Sequence, residues 1–310
     1  MTQGQMITRV CIPTLNAAES WDDLAAAIKR QTCTVDEVVI IDSQSSDSTA
    51  MLARASGFRV CSIRRSDFDH GGTRQMAVEM LPNADIVIYL TQDAILSSTE
   101  ALSTLVAAFR DPSVAVAYGR QLPRSGAGAI EAHARLFNYP RQSAVRELRD
   151  KDQLGFKTIF VSDSFAAYRS SALMEVGGFP ANTIFGEDTI TAGRLLLAGY
   201  KIAYVAEAAV YHSHAHTRAQ EFKRYFDIGV LHNREYWLLE CFGGASGEGG
   251  RFVASELNYL LHQDALKIPD AILRTALKYA GYRFGRAENK LSLALKRRLG
   301  MNSKYWSTIR

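Results

Sequence analysis

Residues 7–42, ITRVCIPTLNAAESWDDLAAAIKRQTCTVDEVVIID, read as strand, helix, strand, and that reading decides the fold. ITRVCIP (7–13) and EVVIID (37–42) are short β-branched runs of buried-strand length, and NAAESWDDLAAAIKRQ (16–31) between them reads as a helix. The alternation continues with a helix after Asp47 through about Ser56, then FRVCSI (58–63), the helical GTRQMAVEML (72–81) and the apolar DIVIYLT (85–91). A chain that alternates in this way predicts a Rossmann-like α/β fold, a mostly parallel sheet with helices on both faces and right-handed crossovers. Ligands of such sheets bind beyond the carboxyl ends of the strands, which makes the polar residues at those ends the first candidates for function.

Further along, Ser46–Thr49 and Ser97–Glu100 offer helix caps, and SVAVAYG (113–119) is followed by a loop, LPRSGAGA. TIFVSDSFAAY (158–168) reads as a strand, Gly177–Pro180 as a turn and Asp188–Leu197 as an amphipathic helix, followed by two short strands, KIAYV and AAVYHSH. Beyond His216 the pattern becomes long helices interrupted by GGASGEGG (243–250), with the helix after His216 read over Phe222–Leu239. A domain change is therefore placed near residue 216, dividing 1–216 from a helical region at 217–310.

With 310 residues, 47% of them apolar and 22% charged, the chain is neither disordered nor collagen-like and suits one large domain with an appendage, or two domains. Its formal charge of +4 hides an asymmetry: residues 1–215 carry 20 basic and 23 acidic side chains, and residues 216–310 carry 16 and 9. The last 44 residues hold 11 basic groups against 2 acidic. Such a terminus suits an anionic partner, whether membrane, nucleic acid or protein. Cys11, Cys33, Cys61 and Cys241 lack CxxC spacing and read as packing residues. MTQGQMITRVCIP has no signal-peptide pattern and no run approaches 18 apolar residues, so the expectation is a cytoplasmic protein, at most peripheral on a membrane.

Four constellations are able to carry chemistry. Asp93, in Thr91-Gln92-Asp93-Ala94 after a buried strand, is either a helix cap or a carboxylate for a hard divalent ion. Asp42-Ser43-Gln44-Ser45-Ser46-Asp47 at the second strand end, with Arg74 after Gly71-Gly72, suits either a nucleotide or local capping. Glu187-Asp188 ahead of a helix offers a capping acid and a general base. His212, His214 and His216, at period-two spacing, would share a face on a strand and suit a metal or a diphosphate. Neither GxGxxG after the first strand nor GxxxxGK[ST] occurs, which removes the phosphate loops of nicotinamide Rossmann enzymes and P-loop NTPases. GxSxG is missing too.

In order, Ile12-Pro13-Thr14-Leu15-Asn16, Asp42 with Ser45-Asp47-Thr49, Asp93, Gly177-Gly178-Phe179 and Glu187-Asp188 resemble the family 2 glycosyltransferases of GT-A fold, over about residues 7–216. Phe68–Gln75, Thr91–Ala94, Tyr118–Pro123 and Phe137–Pro140 resemble the bacterial rhamnosyltransferase subgroup, with Thr91 replacing the first acid of the usual DxD and Gln75 replacing an Asn. The resemblance implies an inverting enzyme that moves L-rhamnose from dTDP-β-L-rhamnose to a saccharide acceptor, lipid-linked, in surface polysaccharide synthesis (O-antigen, lipopolysaccharide or capsule). It implies Pro13, Thr14, Asp42, Ser45, Arg74, Gln92 and Arg120 around the donor, Asp93 with His214 or His212 on Mg²⁺ or Mn²⁺, Asp188 as base and Glu187 orienting its neighbours. It also displaces nucleic acid as the tail's partner in favour of an anionic membrane surface or a homodimer. Competing readings are a transferase of a UDP-hexose, a sugar nucleotidyltransferase, which would want GxGxR where Pro13–Asn16 stands, and a non-catalytic membrane-docked protein.

Overall fold

The computed structural model describes residues 6–33, 35–244 and 247–308; the start of the leaderless reading (1–5) and Ala245–Ser246 of GGASGEGG lie outside them. Among the described residues nine strands form one sheet: β1 Thr8–Thr14, β2 Glu37–Asp42, β3 Arg59–Ser62, β4 Ile86–Leu90, β5 Ile95–Leu96, β6 Val114–Leu122, β7 Ala144–Arg146, β8 Phe165–Arg169 and β9 Lys201–Tyr211. Their order is β3-β2-β1-β4-β8-β6-β9-β5, with β7 also on β9. Helices α1 Trp21–Lys29, α2 Thr49–Ala55, α3 His70–Met80, α4 Ala101–Val106, α5 Ala129–Asn138, α6 Lys151–Leu154, α7 Ser170–Glu175 and α8 Glu187–Leu197 are interleaved with the strands. Then come α9 Arg218–Arg234, α10 Trp237–Phe242, α11 Glu248–Gln263, α12 Ile268–Arg286, α13 Leu293–Leu299 and α14 Tyr305–Thr308.

Alternation along the central strands splits the core into two layers, because successive side chains leave a strand on opposite faces. Cys11, Val39, Ile41, Val87 and Tyr89 enter one layer, with Val78 of α3, Leu195 of α8 and, from the C-terminal helices, Phe226, Leu238 and Trp306. Val10, Ile12, Ile40, Ile86 and Ile88 enter the other, against Trp21 and Leu24 of α1, Ala53 of α2 and Leu102 of α4. Helices thus cover both faces, as expected. Cys11 is buried and burial pushes its thiol up to about 12, and all four cysteines are free. Cys11 lies in one core layer with Cys241 packed against it, and Cys33 packs against the other.

The sheet is more mixed than the alternation predicts. β1, β2, β3 and β4 run parallel, but β8 enters between β4 and β6 antiparallel to both, and β5 and β7 run against β9. Thr158–Ser164, expected in a strand, instead forms a 3-10 turn and a loop, since Ser162, Asp163 and Ser164 bond to Gln121, Tyr168 and Thr91. KIAYV and AAVYHSH are one strand, β9, ending at Tyr211, so His212–His216 lies past it. The helix read over Phe222–Leu239 breaks at Glu235–Tyr236 into α9 and α10.

α12 packs on α9 at backbone distance. A Cβ on Gly285 would sit 2.1 Å from the Phe226 carbonyl oxygen, so only glycine permits this approach.

Candidate active site

The carboxyl ends of β1 and β2 meet in register, Pro13 beside Ile41 and Thr14 beside Asp42. Just past them, Asp42 Oδ1 accepts from the Ser45 hydroxyl at 2.5 Å and Oδ2 from the Ser45 amide at 3.1 Å. Asn16, held at φ +52°, accepts from the Ser46 amide, and its own amide donates to Ser45 Oγ. These bonds make a rigid polar lip. Behind it, the Thr14 and Ser43 hydroxyls are buried with no hydrogen-bond partner among the described residues. Buried hydroxyls in folded proteins are nearly always paired, which sets these two apart within the lip. Gln92 serves the same lip from beneath: its side-chain amide pairs with both the amide and the carbonyl of Leu15.

Asp93 follows β4 and faces the chain that leaves β9. Its Oδ1 is 3.4 Å from His212 Nε2 and its Oδ2 is 3.5 Å from His214 Nε2. Burial works to raise the Asp93 carboxyl, and His212, together with His214, outweighs it and holds the group well below the usual carboxylate range. His214 is pushed down to about 4 by burial and by His212, so its imidazole is neutral at pH 7. His212 is oriented from behind. Gln121 Oε1 accepts from Arg135 at 2.6 Å and lies 3.0 Å from His212 Nδ1, which fixes the ring with Nε2 turned towards Asp93. The three ligand atoms lie within 4.8 Å of one another, close to what bonds of about 2.0–2.2 Å on each side of one ion span. The set fits a divalent metal. His216 joins it only through its ring, stacked 5.6 Å from that of His214.

A second cluster sits at the other side of β8. Arg74 of α3, 5% exposed, has its guanidinium between Glu187, which it hydrogen-bonds, and Asp163 Oδ2 at 3.2 Å. Burial opposes its charge, but Glu187 and Asp163 outweigh burial and keep it protonated. Gly71 allows this: a Cβ there would strike the Pro180 carbonyl oxygen at 1.9 Å, keeping α3 away from the turn before α8. Asp163 is raised to about 6, chiefly by burial. Asp188, next to Glu187 at the start of α8, has its carboxyl raised to about 8 by burial and then by Glu187 and Asp163. A carboxyl so raised is a strong proton acceptor once ionised.

The candidates therefore separate. Asp42, Ser45, Pro13 and Thr14 share one lip, Asp93, His212 and His214 come together as a triad whose geometry fits a metal ion, and Glu187 and Asp188 share the acidic cluster. Arg74, expected beside Asp42 at the base, belongs instead to the acidic cluster, because two buried carboxylates claim its guanidinium. Arg120 bonds the Tyr139 carbonyl at 3.2 Å. Arg224 stacks over Phe185 at 4.8 Å, and Asp227 caps the Met301 and Asn302 amides, so the two make no i, i+3 ion pair.

Sequence reasoning missed Asp163 and Arg124. Asp163 carried one signal, a lone acid between serines in an otherwise apolar run. Arg124, in the loop read as LPRSGAGA, donates to the Asp93 carbonyl and stands 3.6 Å from its carboxylate. A single cation in a turn directly after a strand end was the available sign.

This fold and these clusters place the chain in a class: it belongs to glycosyl transferase family 2, whose profile matches residues 9–177, more than half of its length. It is an enzyme of GT-A fold. Over nearly the whole chain it is similar to two O-antigen chain rhamnosyltransferases. RfbN of Salmonella typhimurium is 46% identical over 299 residues and WbaN of Salmonella anatum 44%, each match covering 96% of this chain and 95% of the relative. Among solved structures, a mannosyltransferase of Pyrobaculum calidifontis in complex with GDP-Man and Mn2+ superposes with a TM-score of 0.57 at 17% identity, covering 98% of this chain and 86% of that one. S. aureus TarS 1-349 in complex with UDP-GlcNAc gives 0.54 at 16%, covering 92% of each. These two speak for the fold.

Proposed function

We propose that this protein is an inverting rhamnosyltransferase of O-antigen synthesis, moving L-rhamnose from dTDP-β-L-rhamnose to a hydroxyl of a lipid-linked saccharide. The observation that carries this reading is identity above 40% along nearly the full length to two enzymes of that name. Donor binding and catalysis belong to residues 1–216, and the helices of 217–310 serve membrane association of a cytoplasmic enzyme.

The lip of Thr14, Asp42, Ser43 and Ser45, beside Pro13, receives the nucleoside, with the two unpartnered hydroxyls and the Asp42 carboxylate supplying its hydrogen bonds. Gln92 and Arg120 act behind the donor, holding Leu15 and Tyr139 in place. Asp93, His212 and His214 hold a divalent ion, which when bound stabilises the negative charge growing on the diphosphate leaving group. Arg124 adds a positive charge on the same side. Asp188 accepts the proton of the acceptor hydroxyl as that oxygen attacks the anomeric carbon and the bond to dTDP breaks. Glu187 anchors Arg74, and Arg74 spaces the carboxylates around the base.

One carboxylate with two imidazoles suits Mn²⁺ better than Mg²⁺, which favours all-oxygen ligands. Asp93→Ala should therefore weaken donor binding in Mn²⁺ by at least about 10-fold, and chelator should do the same to the natural protein. Calorimetric titration checks this; donor affinity unchanged by both treatments removes the metal role. Nucleotide release should be fastest with dTDP-rhamnose when it is compared with UDP-glucose, UDP-galactose and GDP-mannose. A preference for a uridine or guanosine donor sinks the rhamnosyl assignment and spares the fold.

A further inference from the structure

α12 has two unlike sides. One packs on α9 through Gly285 and Gly281, and the other turns outward with Ile272, Leu273, Ala276 and Tyr279 exposed along about two turns. At the tip before α12 Leu266 is 90% exposed, Leu261 near the end of α11 is exposed too, and so are Leu293 and Leu295 of α13. Exposed apolar side chains in such number along one terminal region mark an interaction surface.

The charges around it are mainly basic. From residue 261 to 308 ten Lys and Arg stand against three acids, Asp264, Asp270 and Glu288. Asp270 is taken by Arg218 at 2.7 Å and Arg274 at 2.9 Å, and Glu288, buried, is taken by Arg234 at 3.0 Å and by Lys296. Arg283, Arg286, Lys290, Arg297 and Arg298 are exposed. A symmetric dimer through this face would set the basic rim against itself, which like-charge repulsion disfavours. No helix among the described residues is long and apolar enough to cross a membrane. An apolar helix face with a basic rim lies in the plane of an anionic interface.

We propose that the outward face of α12, with the Leu266 tip and α13, docks the enzyme on an anionic lipid bilayer, the apolar side chains entering the acyl boundary and the arginines meeting lipid phosphates. This surface rests on the reading of the enzyme as one that works at a membrane. The docking face adjoins the site. The inward edge of α12, with Arg274 and Lys278, lines a cavity of about 280 Å³ that also holds His214, His216, Arg135 and Arg224.

The test is sedimentation with vesicles of phosphatidylglycerol and phosphatidylcholine, or of phosphatidylcholine alone, at low and high salt. The full chain should bind the anionic vesicles, more weakly in high salt, and phosphatidylcholine poorly. Leu266→Asp with Ile272→Asp, and separately Arg283→Glu with Arg286→Glu, should each weaken partitioning at least about 10-fold while melting temperature and transfer to a water-soluble acceptor stay unchanged. Failure of the natural protein to bind anionic vesicles at low salt overturns the proposal. So does a dimer in light scattering that Leu266→Asp dissolves. Transfer lost with vesicle binding intact would count against the enzymatic reading instead, leaving the surface standing.

Discussion

Asp188→Asn should bind donor as the natural protein does and transfer sugar at least about 10²-fold more slowly, the usual contribution of a positioned base. The substitution keeps the shape of the side chain and removes only its ability to take a proton. Two further readouts separate a base from a merely structural acid. With the carboxyl raised to about 8, kcat/KM of the natural enzyme should climb as pH rises through about 8, because the free enzyme must first ionise Asp188. The stability effect runs the other way. A carboxyl raised above its unfolded value of about 3.9 favours the folded state fully below that pH and loses the advantage as pH climbs through its folded value. Asp188→Asn should therefore melt higher than the natural protein at pH 8 and near it at pH 4. A variant that turns over normally, or that is less stable at pH 8, would refute the assignment.

Arg74→Met should produce the largest loss of stability. It leaves Glu187 and Asp163 buried without their cation, and breaking such a pair from one side costs about 3–5 kcal/mol, a fall in melting temperature on the order of 10 °C. The loss should shrink in acid. Without Arg74 the Asp163 carboxyl, already raised to about 6, rises further, so protonation in acid relieves the unpaired charge. Arg74→Lys should recover part of the loss, since one ammonium replaces a planar fork that spans two carboxylates. Melting curves at pH 5 and pH 8 measure this, and a variant as stable as the natural protein at pH 8 would disprove the buried-cation account.

Both predictions rest on neighbours that the sequence did not announce. The short apolar runs of β1, β2 and β4, alternating with helical stretches, exposed the parallel half, since each strand lies beside one close to it along the chain. The ordered Pro13-Thr14, Asp42, Asp93 and Glu187-Asp188 drew attention to the ends of those strands, whereas the histidines expected to share a strand face lie past β9, with His212 and His214 at Asp93 and His216 outside that group. What stayed hidden depended on distant pairing. Nothing local in Phe165–Arg169 reveals that β8 runs against β4 and β6, so the loop before it, with Asp163, was read as strand. Arg74 looked free because its carboxylates lie in β8's loop and in α8. Glu187 and Asp188 are adjacent acids in sequence, and the structure sets them apart by giving Glu187 the guanidinium of Arg74 and leaving the Asp188 carboxyl raised by burial.

The antiparallel insertion of β8 also bears on how the chain assembles. β1, β2 and β3 close through short crossovers, whereas Ile86 must find Arg169 and Leu122 must find Tyr211. Pairings across such loops form late, because loop closure must precede any contact that rewards it. A ribosome-bound chain that has emerged only through β4 holds the lip of Thr14, Asp42 and Ser43, but neither histidine of the triad nor any carboxylate of the acidic cluster. Interrupted synthesis thus yields fragments that hold the Asp42 lip without the histidines of one cluster or the carboxylates of the other.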